Sequence, residues 1–69
     1  MSAEVKVEGD GLDVQAVDIR GNVATVTHRF YRESRQAWSP VMQGECGVKQ
    51  DEAGRYIRWN DKVTIRLLG

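Results

Sequence analysis

Apolar residues alternate with polar ones along nearly the whole chain. Val5 and Val7 alternate with Glu4, Lys6 and Glu8, the period of a short strand with one wet face. Glu8-Gly9-Asp10-Gly11 reads as a turn. Leu12, Val14 and Ala16 follow at period two, and then the apolar positions change parity to Val17 and Ile19. Such a change inside a strand requires a β-bulge or a strand that switches the core it faces. Arg20-Gly21-Asn22-Val23 predicts a two-residue hairpin turn of type I′ or II′. Residues 23–31, rich in β-branched and aromatic side chains, predict the longest strand. Ala24, Val26, His28 and Phe30 share one of its faces; Val23, Thr25, Thr27, Arg29 and Tyr31 share the other.

Residues 32–38 admit two readings. Phe30, Ser34 and Trp38 lie at helical spacing, which fits one or two turns ended by Ser39-Pro40. The alternative is a turn at Glu33-Ser34-Arg35 and a strand returning through Ala37, Trp38 and Val41, held to a sheet edge by Pro40. The second is preferred, because seven residues are short for a helix. Farther on, Val48-Lys49-Gln50 and residues 55–59 form a hairpin across Asp51-Glu52-Ala53-Gly54. A turn at Asn60-Asp61 then leads into a last strand that places Val63, Ile65 and Leu67 on one face. The expected fold is therefore all-β over residues 1–69. It is a single small antiparallel sheet of five to seven short strands, curled into a barrel-like, SH3- or OB-like domain, with at most one or two helical turns. Its expected core is Val5, Val7, Val14, Val26, Phe30, Trp59, Val63, Ile65 and Leu67.

Composition narrows the class. With 41% hydrophobic and 29% charged residues, the chain has the balance of a globule and not of a disordered segment. At 69 residues it hides only about 60% of its unfolded surface, so a partner or a second copy would help to hold it. No apolar run approaches the roughly 20 residues of a membrane span, and Met1-Ser2-Ala3-Glu4-Val5-Lys6 lacks the segments of a secretory signal. A cytoplasmic location is expected. One cysteine excludes an internal disulfide framework and any multi-cysteine metal site.

Residues for catalysis are sparse. His28, the only histidine, has Cys46 or a serine as its available nucleophile. The simpler reading is a strand histidine held by a backbone or carboxylate partner. Cys46 lies in Gly44-Glu45-Cys46-Gly47, where Glu45 opposes thiolate formation, so a small apolar filler is expected. Three carboxylates in Glu8-Gly9-Asp10-Gly11-Leu12-Asp13 have no distal glutamate at calcium-loop spacing. Gly9-x-Gly11 lacks the remaining residues of a phosphate loop. No catalytic residue, cofactor or metal is assigned, and the chain is expected not to be an enzyme.

Charge is more informative. Residues 1–19 carry five acids against Lys6, a net −4, whereas residues 20–69 carry nine bases against five acids, a net +4. Seven of the ten bases are arginines, which offer planar, stacking donors. Two stretches interleave them with rings: His28-Arg29-Phe30-Tyr31-Arg32 and Arg55-Tyr56-Ile57-Arg58-Trp59. Rings at a core with arginines at its rim are the simplest account. Beyond it, the expected function is docking onto another protein or a second copy through Phe30, Tyr31, Trp38, Val41 and Met42, which lie in or near the segment that Pro40 and the glycines keep from regular pairing. The alternative is single-stranded nucleic-acid binding by Arg29, Arg32, Arg35, Arg55, Tyr56 and Arg58, against which stands a pI near 6.6. The strand order is similar to that of oligonucleotide-binding barrels, a likeness that assigns no residue a role. Accessory or inhibitory proteins of phages and mobile elements, and small parts of larger assemblies, all fit such a module.

Overall fold

The computed structural model describes residues 3–68. Met1, Ser2 and Gly69 lie outside the described residues, and with them the start of the segment judged not to be a leader. The described chain is all strand and turn: β1 (Val5–Glu8), β2 (Leu12–Arg20), β3 (Val23–Arg32), β4 (Ala37–Trp38), β5 (Met42–Gly47), β6 (Lys49–Asp51), β7 (Gly54–Arg58) and β8 (Thr64–Leu67). Residues 33–36 form a turn and not a helix, as preferred above.

The expected single curled sheet is overturned. The eight strands form two separate antiparallel sheets, neither closed into a barrel nor strongly curled. The first sheet runs β1-β8-β7-β6. The second has β3 at its centre, with β2 along one side and β5 and β4 one after the other along the other. The physical reason lies in two short links. After β1 the chain turns through Gly9 (φ 121°) and Gly11 (φ 87°), so β1 pairs with distant β8 instead of its neighbour β2. After β5, Val48 alone carries the chain across to β6 in the first sheet. Alternation specifies which side chains share a face. It does not specify which edges pair.

The parity change in β2 is a bulge. Pairing runs Val14↔His28 and then Ala16↔Thr27, so Gln15 is the unpaired extra residue. It lets Leu12 and Val14 before it, and Val17 and Ile19 after it, all face inward. At the next turn Gly21 takes φ 62° while Asn22 does not go positive, the signature of type II′.

The core draws on both sheets: Leu12, Val17, Ala24 and Val26 from the second, Ile57, Val63 and Ile65 from the first side. Val5, Val7, Val14, Trp59 and Leu67, expected as core, pack partly buried against it. Phe30 does not belong to it, for a reason of length. β3 has ten residues, about 33 Å, whereas β7 and β8 have five and four. Burial falls along β3 from Val26 (0%) through His28 (5%) to Phe30 (38%), so its far end runs past the core and Phe30 stands exposed there, opposite buried Leu12.

Candidate docking surface

The overhang is built by the β3–β4 hairpin. Glu33 to Gln36 turn the chain, with the Arg35 and Gln36 N–H groups donating to Arg32 and Glu33 carbonyls at 3.2 Å. Tyr31 then faces Trp38 across the strands, ring centroids 5.5 Å apart and planes at 77°, an edge-to-face pair. Ser39 secures the hairpin's far side. Its backbone N–H donates to the Phe30 carbonyl at 2.7 Å, while its buried Oγ accepts the Phe30 N–H at 2.9 Å and donates to the Pro40 carbonyl at 3.0 Å. The hydroxyl thus does the pairing that Pro40 and the irregular backbone around it interrupt.

All five candidate docking residues are exposed: Phe30 38%, Tyr31 39%, Trp38 43%, Val41 54% and Met42 37%. They do not form one flat patch. Tyr31 and Trp38 share the outer face of the second sheet, whereas Phe30 and Met42 have the inward parity of His28, which pairs with Met42. The surface wraps the end of the sheet. Beside Tyr31 and Trp38 runs a groove of about 410 Å³, also bounded by Asp10, Gly11, Glu33 and Lys62.

The cations around this end are largely engaged. Arg29 Nε lies 2.7 Å from Asp13 Oδ2, and its guanidinium sits 5.1 Å from the Trp38 ring centroid. Arg32 lies 5.8 Å over Phe30. Arg35 is exposed in the turn. The other nucleic-acid candidates, Arg55, Tyr56 and Arg58, lie on β7 in the first sheet and do not join the Arg29–Arg32–Arg35 group. Arg55 falls on the opposite face of β7 from Tyr56 and Arg58. Over Tyr56 stands Arg66, 5.1 Å from its centroid, bound to Asp51 at 3.0 Å and 3.8 Å from Glu8. The Arg66 hydrogen bond, with that from the Ala53 N–H, holds the Asp51 carboxyl below its usual range. Arg66 is in turn pushed up by Asp51. The charge separation along the chain is thus folded back on itself, acids of β1 and β2 meeting arginines of β8 and β3.

His28 and Cys46 are not a catalytic pair. His28 is opposite Met42 and Cys46 opposite Ala24, four residues or about 13 Å apart along the sheet. His28 is buried, its Nδ1–H donating to the Val26 carbonyl at 3.0 Å and its ring standing edge-on to Trp59 at 4.4 Å. Cys46 is partly buried, and burial pushes its thiol up. Among the described residues no three His, Cys, Asp or Glu side chains gather as metal ligands, and no helix is long and apolar enough to cross a membrane.

Reading the sequence missed Ser39, Asp13 and Arg66, whose roles arise from cross-strand register. Only Ser39 left a local sign, a hydroxyl directly before the chain's single proline. Fold and surface together define a two-sheet β domain with an aromatic end. No known family, no curated protein and no solved structure matches the chain.

Proposed function

We propose that this chain is a non-catalytic docking module that binds a protein surface with the overhanging end of its second sheet. Phe30, Tyr31, Trp38, Val41 and Met42 are its contact residues. One observation carries the reading. The largest fully buried side chains are Ile57, Ile65, Val17 and Val26, whereas the rings of Phe30, Tyr31 and Trp38 stand in solvent at one end. Exposed aromatic clusters of this kind are costly in a free monomer and typical of interface anchors. Ser39 and the Tyr31–Trp38 contact hold the surface in shape beforehand, which lowers the ordering cost of binding.

Truncating a central tryptophan anchor commonly costs 2 kcal/mol or more, about thirtyfold in affinity. A partner recovered from the native source should therefore bind Trp38→Ala at least thirtyfold more weakly, with an unchanged circular dichroism spectrum. Leu68→Ala, another exposed apolar residue but on the first-sheet side, should bind as wild type. Unfolding of Trp38→Ala, or equal binding by it, would overturn the proposal.

The cation–ring contacts of Arg29 and Arg32 favour one second reading, single-stranded nucleic acid stacked on this end. Its test is binding to random single-stranded DNA and RNA. Affinity should fall with salt at a log–log slope of about −0.7 per phosphate contact and vanish in Arg29→Ala, while Arg58→Ala, on the first sheet, should bind as wild type.

A further inference from the structure

The two sheets end in edges that differ in their protection. β1 is four residues long and alternates its valines with Lys6 and Glu8. β6 has three residues, among them Lys49 and Asp51. β2 is bent by its bulge at Gln15, and its Val17 carbonyl accepts the Ala3 N–H at 2.7 Å. Short length, charge, bulges and cover are the usual defences against edge-to-edge pairing. β5 is the least defended. Its six residues, Met42-Gln43-Gly44-Glu45-Cys46-Gly47, contain no lysine, no proline, no bulge and a single charge.

The hydrogen-bond alternation shows which groups this edge presents. Val48 N–H donates to Asn22 on the β5 side of β3, and Tyr31 N–H donates to Gly11 on the β2 side. Even-numbered residues of β3 therefore bond toward β5, through Cys46, Gly44 and Met42. The backbone groups of Gln43 and Glu45 point outward. We propose that β5 pairs antiparallel with β5 of a second copy about a two-fold axis at Gly44. This goes beyond the docking reading: of its contact residues only Val41 and Met42 fall in the paired segment.

Complementarity selects both the occupant and the register. Centred on Gly44, the pairing sets Gln43 against Glu45 of the second copy and Glu45 against its Gln43. That is two amide–carboxylate contacts between outward residues on one face. Gln43 spends one N–H on Thr27 Oγ1 at 3.2 Å and keeps the other for this contact. Met42 falls opposite Cys46, and glycine meets glycine at the axis. Val41 falls opposite Gly47, on which a β-carbon would meet nothing within 4 Å. An axis at Glu45 would set that carboxylate against its own copy. An axis at Gln43 would face Glu45 with Val41 and shorten the pairing. A chain of 69 residues with so small a core is a natural beneficiary of this extra strand pairing.

Sedimentation of the full chain tests this. Wild type should dimerise. Gln43→Glu places like charges opposite each other twice and should weaken dimerisation at least about tenfold. The exchange Gln43→Glu with Glu45→Gln should restore it. Circular dichroism confirms folding of each variant. An opposed pair that exchanges no backbone bonds has Cα atoms about 4.5 Å apart, within disulfide reach, whereas positions 42 and 46 of one chain are about 13 Å apart. Met42→Cys should therefore give a covalent dimer on mild oxidation, and Met42→Cys with Cys46→Ser should not. A wild-type monomer at every concentration, with no cross-link, overturns the pairing and leaves the aromatic-end reading to its own Trp38→Ala test. A dimer indifferent to Gln43→Glu but dissociated by Trp38→Ala overturns the pairing and supports docking by the aromatic end.

Discussion

Arg29, Asp51 and Cys46 each show a side chain whose behaviour depends on one neighbour. Arg29 is held between Asp13 and Trp38, so it shapes the aromatic end more than it offers a free charge. The Asp13–Arg29 pair is half exposed and worth about 0.2–1 kcal/mol. Asp51 has its carboxyl lowered by Arg66. A lowered carboxyl stabilises the fold above the ordinary aspartate range, near 3.9, and that gain is lost as pH falls through the folded value. Asp51→Asn should thus melt slightly below wild type at neutral pH. The gap in Tm should close as pH drops below about 4. Cys46 has the opposite sign: burial disfavours its thiolate. Alkylation by iodoacetamide at pH 8 should run slower than for free cysteine. A faster rate would mean that the thiol is activated.

The turns set the strands' partners, and two glycines show how. Gly21 has φ 62° in open space, so Gly21→Ala pays for backbone strain alone, about 1 kcal/mol. Gly9 has φ 121°, and a β-carbon there would collide with the Lys62 carbonyl and crowd Val63. Gly9→Ala should cost more than Gly21→Ala, about 2 kcal/mol or above, because backbone and not a flexible side chain must move. Urea denaturation of the two variants ranks them directly. The close approach of Gly9 to Lys62 and Val63 packs the link after β1 against the start of the last strand, where the chain leaves one sheet for the other.

Across the molecule, a narrow aliphatic core lies between the sheets and an aromatic end lies beyond it. These two parts should respond differently to truncation. Ile65→Ala removes a fully buried side chain and should cost about 2–5 kcal/mol, much of the stability expected of a domain this size. Trp38→Ala removes only surface ring contacts and should cost no more than about 1.5 kcal/mol. Thermal melts of both compare them. If Trp38 proved the costlier, the overhang would be part of the core and not a surface.

Local patterning was enough to read the all-β class and the Gly21-Asn22 hairpin, to prefer a turn at Glu33-Ser34-Arg35 over a helix, and to locate near Ala16 a parity change that a bulge or a switch of core would explain. Each of these depends on a few adjacent residues. The same reading singled out Phe30, Tyr31, Trp38, Val41 and Met42 on the expectation that Pro40 and the glycines interrupt pairing; Gly44 and Gly47 instead pair in regular register with Val26 and Val23, because a strand needs only backbone groups to pair. It misplaced Phe30 in the core, since alternation shows the face of a side chain but not whether a partner sheet reaches it. The division into two sheets, the β1–β8 pairing, the overhang of β3 and the contacts Asp13–Arg29 and Asp51–Arg66 all join residues at least 15 apart. Such contacts follow from which strand edges meet, and competing edges of a short antiparallel chain are distinguished only when the whole core packs.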